Sequence, residues 1–272
     1  AIAPEEASPS AFVVFRDRLE TSMAKAAALG YDGVELALSD AAQAEPERIR
    51  RALANEGLAL PAISTGRVFA ERGVWFTHPD PAVRREAVET ISGLVEVAAG
   101  FGAMVNIGRA RGYVHESETR EAAAGRFLEC MAQCARRAEA LGVTMVLEPV
   151  NRYETNFVNS VPDALEMMDR LGLPNVLVMP DVFHMNIEDA TLEGSFRQAG
   201  ARVGYVHFAD SNRLAPGQGH LDFPAILAVL GEIGYDGWVT AEILPHPDPD
   251  AAARAAIDYL ITLIAAAPAG GR

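Results

Sequence analysis

The stretch Thr144–Glu154, TMVLEPVNRYE, begins as a buried strand and then places a carboxylate directly at the strand's end. Thr144 to Leu147 is short and apolar, and Glu148 follows it at once. A lone glutamate at the end of a strand is usually a loop cap or half of a surface ion pair. The meaning of Glu148 therefore depends on whether other strands of this chain end in the same way.

Short apolar runs alternate along the chain with longer amphipathic stretches. The predicted strands are Val34–Leu38, Leu60–Ser64, Ala103–Ile107, Thr144–Leu147, Val176–Met179, Val203–Phe208 and Trp238–Ile243. The predicted helices are Asp17–Leu29, Pro46–Glu56, Pro81–Phe101, Thr119–Leu141, Pro162–Leu171, Leu192–Ala199, Phe223–Ile233 and Pro249–Ala266. Repeated strand–helix units predict a parallel sheet, and eight of them close into a barrel.

The predicted fold is therefore an α/β (β/α)8 TIM barrel, with residues 1–272 forming a single domain. An open, doubly wound sheet is the alternative, and it is weakened because no glycine-rich phosphate fingerprint follows an early strand. Only Ala1–Pro4 precedes the first helix and its loop. We expect the first strand to be clipped or incomplete, with Pro4–Phe15 as the loop that follows it.

The composition narrows the class of protein. A net charge of −14 argues against a nucleic-acid surface and an anionic membrane as partners, because both require clustered lysine and arginine. No apolar run approaches the roughly 20 residues that a membrane-spanning helix needs. The two cysteines, Cys130 and Cys134, are too few for a disulfide scaffold and are predicted to be buried free thiols. A cytoplasmic enzyme acting on a small molecule is the class that remains.

Glu148 does have counterparts at three further strand ends. They are Asp181 after NVLVMP, His207 within VGYVHF and Glu242 within GWVTAEI. In a parallel barrel these four groups lie at the same edge. Three carboxylates gathered in a core without a cation would raise one another's pKa strongly. The sequence therefore predicts a divalent cation bound by Glu148, Asp181, His207 and Glu242.

The predicted cation is Mn²⁺, with Mg²⁺ or Co²⁺ as alternatives, because three carboxylates and one imidazole form a hard oxygen and nitrogen donor set. Four protein ligands leave two positions of an octahedral ion open for a bidentate substrate. A lone histidine on a strand is more often a hydrogen-bonded core residue, and the spacing of Asp181 and His184 is common in loops. The argument therefore rests on four successive strands rather than on any one residue.

Four segments resemble the xylose-isomerase-like barrel superfamily, and within it the ketose 3-epimerases of the D-tagatose 3-epimerase group. They are LEPVNRYET, PDVFHMN, VHFADSNRLAPGQGHLDF and AEIL. The longer match, which includes ISTGRVF, THPD and FGAMVNIG, is most similar to 5-keto-L-gluconate epimerase-like proteins. The resemblance runs from about residue 16 to the last helix.

This resemblance implies a role for several individual residues. Glu148 and Glu242 would be the acid/base pair as well as metal ligands. His184 and Arg213 would hold the substrate near its carbonyl, and Glu154 would contact its terminal hydroxyl. The implied activity is metal-dependent inversion of C3 in a ketose or keto-sugar acid through a cis-enediolate.

Arg109 and Arg111, in GRARGY, follow the predicted strand Ala103–Ile107. They are candidates for binding a carboxylate or phosphate at the far end of the substrate, because arginine binds such anions bidentately. A solvated surface loop is the alternative interpretation of both residues.

Rival functions share the barrel or the site. An aldose–ketose isomerase resembling hydroxypyruvate isomerase, or a keto-inositol dehydratase, would begin with the same proton abstraction. An apurinic-site endonuclease would need more metals and more histidines than the six present. A sugar-binding module without catalysis is also open. The assembly is expected to be a homodimer or homotetramer.

Overall fold

The computed structural model describes residues 1–8 and 13–266. Over these residues the chain forms seven strands and nine α-helices. The strands are β1 (Leu36–Ala37), β2 (Ala62–Ser64), β3 (Met104–Ile107), β4 (Met145–Leu147), β5 (Val176–Val178), β6 (Val206–Phe208) and β7 (Val239–Ala241). The helices are α1 (Leu19–Leu29), α2 (Pro46–Glu56), α3 (Pro81–Ala99), α4 (Arg120–Ala140), α5 (Val161–Leu171), α6 (Val182–Glu188), α7 (Leu192–Ala199), α8 (Phe223–Glu232) and α9 (Pro249–Ala266).

The strands form a ring of parallel neighbours. β1 to β5 pair in sequence order, and β6 pairs with β7. Single parallel bridges, Val178 with Val203 and Asp181 with His207, join the first group to the second. Because every connection between neighbouring strands is parallel and carries at least one helix, the predicted TIM barrel is confirmed.

The position of the first barrel strand is occupied by a single bridged residue, Ile2. Its amide and carbonyl bond to the backbone on either side of Leu36, and it bridges Leu36 in parallel. On the opposite side, the terminal ammonium of Ala1 donates to the carbonyl of Ala241 in β7 at 3.1 Å. The ring is thus closed between β7 and β1. Part of the loop predicted over Pro4–Phe15 lies outside the described residues.

Side chains alternate between the two faces of each strand, and this alternation positions the chemistry. Val146 of β4 belongs to a small apolar cluster inside the barrel, whereas Leu147 belongs to the core between strands and helices. The next residue, Glu148, must therefore face inward. Tyr205, just before β6, belongs to the same cluster inside the barrel. By the same alternation His207, two residues later, also faces inward.

Several ends of the outer helices were predicted from the sequence. Asp80, Asp222 and Asp248 each accept a first-turn amide, at 2.7, 3.0 and 2.9 Å. Gly57 ends α2 with φ of 68°, a conformation that glycine adopts without steric cost. The predicted strands are longer than β1 and β5 because burial and single inter-strand hydrogen bonds continue beyond them, as from Val34 to Ala59 and from Met179 to Leu147.

Helix α6 was missed, and its residues were interpreted as a loop. Seven residues are too few for helical periodicity to be recognised. The helix begins because Asp181 Oδ1 accepts the amide of Phe183 at 2.8 Å. It carries His184 in its first turn, so the end of β5 and the start of α6 place two polar groups side by side.

The longest helices cover the outside of the barrel. Over residues 1–8 and 13–266, none is both long and apolar enough to cross a membrane. Cys130 and Cys134 are unpaired and buried in α4, as predicted. Burial raises the pKa of Cys130 to about 11 and that of Cys134 to about 12, so both thiols stay protonated at neutral pH.

Candidate active site

Four side chains converge at the carboxyl edge of the barrel: Glu148, Asp181, His207 and Glu242. One ligand atom from each lies within 4.8 Å of all the others. All four are buried, with Glu242 the most exposed at 9%. These are the four strand-end residues singled out from the sequence. Their convergence follows from parallel strands ending at one edge with inward-facing side chains.

His207 is oriented from across the barrel. Its Nε2 lies 2.7 Å from Oε2 of Glu35, which immediately precedes β1, and both side chains are fully buried. Its Nδ1 therefore faces the other ligands, 3.4 Å from Glu148 Oε1 and 3.7 Å from Glu242 Oε2. Glu35 was given no role from the sequence. Its signal was an ionisable residue in the buried run Val34–Leu38.

Glu148 is held by two residues that the sequence did not identify. Asn106 of β3 donates from Nδ2 to Glu148 Oε2 at 2.9 Å. A Cβ at position 108 would lie only 2.6 Å from the same oxygen, so only glycine leaves room for this carboxylate. The segment FGAMVNIG contained the signal, a buried asparagine on an apolar strand followed two residues later by glycine.

The donor set fits a divalent cation. Over the described residues, Asp181 Oδ2 and His207 Nδ1 are buried and have no hydrogen-bond partner. Unpartnered buried polar atoms are costly, and both of these face the shared centre. Burial raises the pKa of Asp181 to about 7, against the opposing charge of Arg213. A cation bound there would satisfy both atoms and hold the carboxylate ionised.

Arg213 links two of the pocket's carboxylates. Its Nη2 donates to Glu242 Oε2 at 2.5 Å, and its Nη1 donates to Glu154 Oε1 at 3.1 Å. The guanidinium also lies over the ring of Phe183, 4.7 Å from its centroid. Arg213 has φ of 60°, unusual for a residue with a side chain, which indicates that its surroundings determine its conformation.

His184 is a neutral hydrogen-bond donor facing the same centre. Asn151 Nδ2 lies 2.7 Å from His184 Nδ1, and an amide NH2 can only donate, so the ring hydrogen is on Nε2. That Nε2 lies 3.6 Å from Asp181 Oδ2. Burial lowers the pKa of His184 well below its ordinary value, and the charge of Arg213 lowers it further. The imidazole therefore stays uncharged at neutral pH.

One wall of the pocket, here called the far wall, is formed by the charged residues Arg67, Glu71 and Arg109. Arg67 forms a bidentate pair with Glu71, at 2.8 and 2.9 Å. Arg109 lines the same pocket as Glu148 and Glu242, and its guanidinium packs 5.7 Å from the ring centroid of Phe69. Among the arginines of this lining, Arg109 is the one with no carboxylate at ion-pair distance within the part of the chain that is described.

Arg111 occupies a different environment from Arg109. Its side chain is fully buried beneath the loop and is not part of the pocket lining. The guanidinium donates to four backbone carbonyls at 2.7 to 3.0 Å, those of Gly108, Glu148, Phe157 and Val158. These contacts favour a role in fastening the loops after β3 and β4 to each other, rather than the predicted contact with a substrate anion.

Comparison with known proteins places this fold and site in a family. The chain belongs to the xylose isomerase-like TIM barrel family, which matches residues 23–263. It is 34% identical over 223 residues to a ketose 3-epimerase of Arthrobacter globiformis, covering 81% of this chain and 76% of that protein. It is 32% identical to an L-ribulose 3-epimerase of Mesorhizobium japonicum, covering 81% and 73%.

A solved structure agrees with these sequence matches. The D-allulose 3-epimerase from Methylomonas sp., in complex with D-allulose, superposes with a TM-score of 0.79 at 26% identity. The match covers 89% of this chain and 90% of that one. The predicted resemblance to xylose-isomerase-like barrels and ketose 3-epimerases is thereby confirmed.

Replacing Arg111 tests its structural role. Arg111→Met removes the guanidinium donor from four backbone carbonyls, of which only those of Gly108 and Val158 keep a backbone amide donor among the described residues, so we expect the free energy of unfolding to fall by about 3 kcal/mol or more. Arg109→Met is the matched control and should change it by less than about 0.5 kcal/mol. Urea unfolding followed by circular dichroism measures both. Equal stability of the two variants would contradict the assignment.

Replacing Gly108 tests the packing around Glu148. In Gly108→Ala the new methyl group must displace Glu148 Oε2. We expect the affinity for Mn²⁺, measured by isothermal titration calorimetry, to fall about 10-fold or more, as when a ligand loses its support. Gly125→Ala, in α4 with nothing within 4 Å of the added Cβ, is the control and should bind as the wild type does. Unchanged affinity in Gly108→Ala would show that Glu148 is not a ligand.

Proposed function

We propose that the protein is a divalent-metal-dependent sugar epimerase, an isomerase that inverts C3 of a ketose or keto-sugar acid. The observation that carries the proposal is the convergence of Glu148, Asp181, His207 and Glu242 in a pocket also lined by His184 and Arg213. The similarity to ketose 3-epimerases over most of the chain supports it.

Glu148, Asp181, His207 and Glu242 would hold the cation. Mn²⁺ is the ion we propose, and Mg²⁺ and Co²⁺ suit the same donors. A divalent cation bound there would supply Lewis-acid polarisation of the substrate's carbonyl and adjacent hydroxyl oxygens. The chain's own side chains perform the proton transfers.

Glu148 and Glu242 are the proposed acid and base. They follow β4 and β7, which are not neighbours in the ring, so a substrate between them presents one face to each. One carboxylate removes the C3 proton, and the electron pair of that bond moves toward the C2 carbonyl. The other then supplies a proton to the opposite face of C3, which inverts the centre.

Glu148 is ready to accept a proton at neutral pH. Burial alone would favour its neutral form. A proton on His207 Nδ1, which a bound cation would replace, and the hydrogen bond from Asn106 outweigh burial and hold the pKa of Glu148 below its ordinary value.

His184 and Arg213 would stabilise the charge that develops on the substrate. His184 offers an Nε2–H from a neutral ring, and Arg213 offers a permanent positive charge. Donors fixed in place before the reaction stabilise an oxyanion more than mobile water does. Glu154 Oε1 lies 3.1 Å from Arg213 Nη1, which positions this carboxylate to accept a hydrogen bond from a hydroxyl group of the substrate.

Arg109 would meet the end of the substrate farthest from C3. Because Arg109 has no carboxylate at ion-pair distance among residues 1–8 and 13–266, a carboxylate or phosphate on the substrate would supply one. We propose that the preferred substrate carries such an anion.

The reaction is tested by incubating the Mn²⁺-loaded protein with a panel of ketoses in D2O. Deuterium at C3 together with the C3 epimer supports the proposal. A new aldose would identify an isomerase, and loss of water to a new product would identify a dehydratase. Tight sugar binding without deuterium uptake would identify a binding protein.

Removing either carboxylate should stop exchange. In Glu148→Gln and in Glu242→Gln, at saturating Mn²⁺, we expect deuterium uptake to fall about 10²- to 10⁴-fold while sugar binding largely survives, because an amide cannot act as acid or base. Glu232→Gln, on the surface of α8, is the control and should retain kcat within about twofold. Activity in either site variant close to that of the control would rule out the two-base scheme.

Replacing Arg109 tests the class of substrate. Arg109→Met should raise KM for a carboxylated or phosphorylated ketose about 10- to 100-fold, because a charge-assisted hydrogen bond is lost, and should leave neutral ketoses unaffected. Arg109→Lys keeps the positive charge but lacks the planar guanidinium. Its KM for the anionic ketose should therefore lie between those of the wild type and Arg109→Met. Equal losses on neutral and anionic ketoses would contradict an anion site.

We also propose the substrate class, the assembly and the cellular location of the enzyme. The substrate is a small sugar or sugar acid, and a homodimer or homotetramer is the expected assembly. Two unpaired, buried thiols support a cytoplasmic location, where thiols stay reduced.

A further inference from the structure

Glu35 is a buried ionisable group that the proposed reaction does not use. It lies next to β1, its side chain is fully buried, and it is not one of the four groups around the cation centre. Its side chain forms a 2.7 Å hydrogen bond to Nε2 of His207, on β6, and the hydroxyl of Tyr205 also lies near it. β1 and β6 are not adjacent in the ring, so this hydrogen bond crosses the barrel interior.

An acid in this place requires an explanation. Its neighbours include the neutral side chain of Tyr205, whose hydroxyl group bonds to that of Thr240 at 2.5 Å, and the terminal ammonium of Ala1. A buried carboxylate costs several kcal/mol of desolvation, and an apolar side chain of similar size would be less costly. Packing alone therefore does not account for Glu35.

The hydrogen bond determines which nitrogen of His207 is free. An ionised carboxylate can only accept, so the imidazole must carry its hydrogen on Nε2. Nδ1 then presents a lone pair toward Glu148 and Glu242, 3.4 and 3.7 Å away. With the hydrogen on Nδ1 instead, His207 could not bind a cation.

We propose that Glu35 is a positioning residue that fixes the tautomer and the ring orientation of His207, so that Nδ1 is presented to the cation. The proposal rests on the metal site of the proposed function. Glu35 contacts neither the cation centre nor the substrate pocket, and it acts only through His207. Its charge also increases the electron density of the imidazole and so strengthens it as a ligand.

Two substitutions separate this role from simple packing. Glu35→Met keeps the length of the side chain and removes the acceptor. Removing one partner of a buried pair can destabilise the fold, so the folding of this variant is checked by circular dichroism before the titration. Glu35→Gln keeps an acceptor oxygen for Nε2–H and removes the charge. Thr240→Val removes a different polar group from the same layer and serves as the control.

The first readout is Mn²⁺ affinity, measured by isothermal titration calorimetry on metal-free, full-length protein. We expect Glu35→Met to lose about 10- to 100-fold in affinity, Glu35→Gln to stay within about fivefold of the wild type, and Thr240→Val within about twofold. The second readout is ¹⁵N NMR of His207 in Mg²⁺-loaded protein. The Nε2–H tautomer should be present in the wild type and in Glu35→Gln, and lost or mixed in Glu35→Met.

The outcomes distinguish this inference from the proposed function. A wild-type protein that fails to bind Mn²⁺ would overturn both. A wild type that binds, with Glu35→Met binding equally well, would overturn the role of Glu35 alone. A loss in Glu35→Gln or in Thr240→Val as large as that in Glu35→Met would also overturn it, because the effect would not depend on the acceptor. If Glu35→Met does not fold, an altered His207 tautomer in Glu35→Gln overturns it.

Discussion

The mutual repulsion of three buried carboxylates is the constraint on which the rest of the site depends. Glu148, Asp181 and Glu242 bring ligand atoms within 4.8 Å of one another in a pocket that largely excludes water. Like charges so close cannot all stay ionised unless positive charge and donors surround them. Arg213 and the amide of Asn106 supply part of this compensation from the protein, and a dication would supply the remainder. The same arrangement that repels in isolation therefore fits a divalent cation and, as proposed, a substrate that can chelate it.

The barrel can hold this concentration of charge because one set of residues stabilises the fold and a different set forms the site. Outward-facing residues of the strands join the helices in one large apolar core, and a smaller cluster fills the barrel interior. The carboxylates of the candidate site lie at inward positions near the carboxyl edge. Arg111 then fastens the loops after β3 and β4 through backbone carbonyls, which holds the end of the strand that carries Glu148 in place. Rigid strands and fastened loops together hold Glu148 and Glu242, the proposed acid and base, on non-adjacent strands.

Kinship with ketose 3-epimerases is consistent with this chemistry, and the far wall indicates where specificity would arise. The groups around the cation centre serve the reacting carbons, which are alike in all ketoses. The pair of Arg67 with Glu71, and Arg109 beside Phe69, form the wall that we propose meets the variable end of the substrate. A charged wall of this kind discriminates between substrates because its charged groups stay unpaired when the wrong substrate binds. Unpaired charges lower the binding free energy more than a poor apolar fit does.

The sequence by itself determined the barrel and the four strand-end residues that converge at its carboxyl edge. Both depend on local periodicity and on which residue follows each apolar run. Only the tertiary structure decided the rest. The separation of Arg109 from Arg111 depends on carbonyls as far away as Val158, α6 is shorter than any periodicity can reveal, and Glu35 meets His207 across 172 residues of chain. Such contacts depend on how the whole ring of strands closes, and no local pattern of residues carries that information.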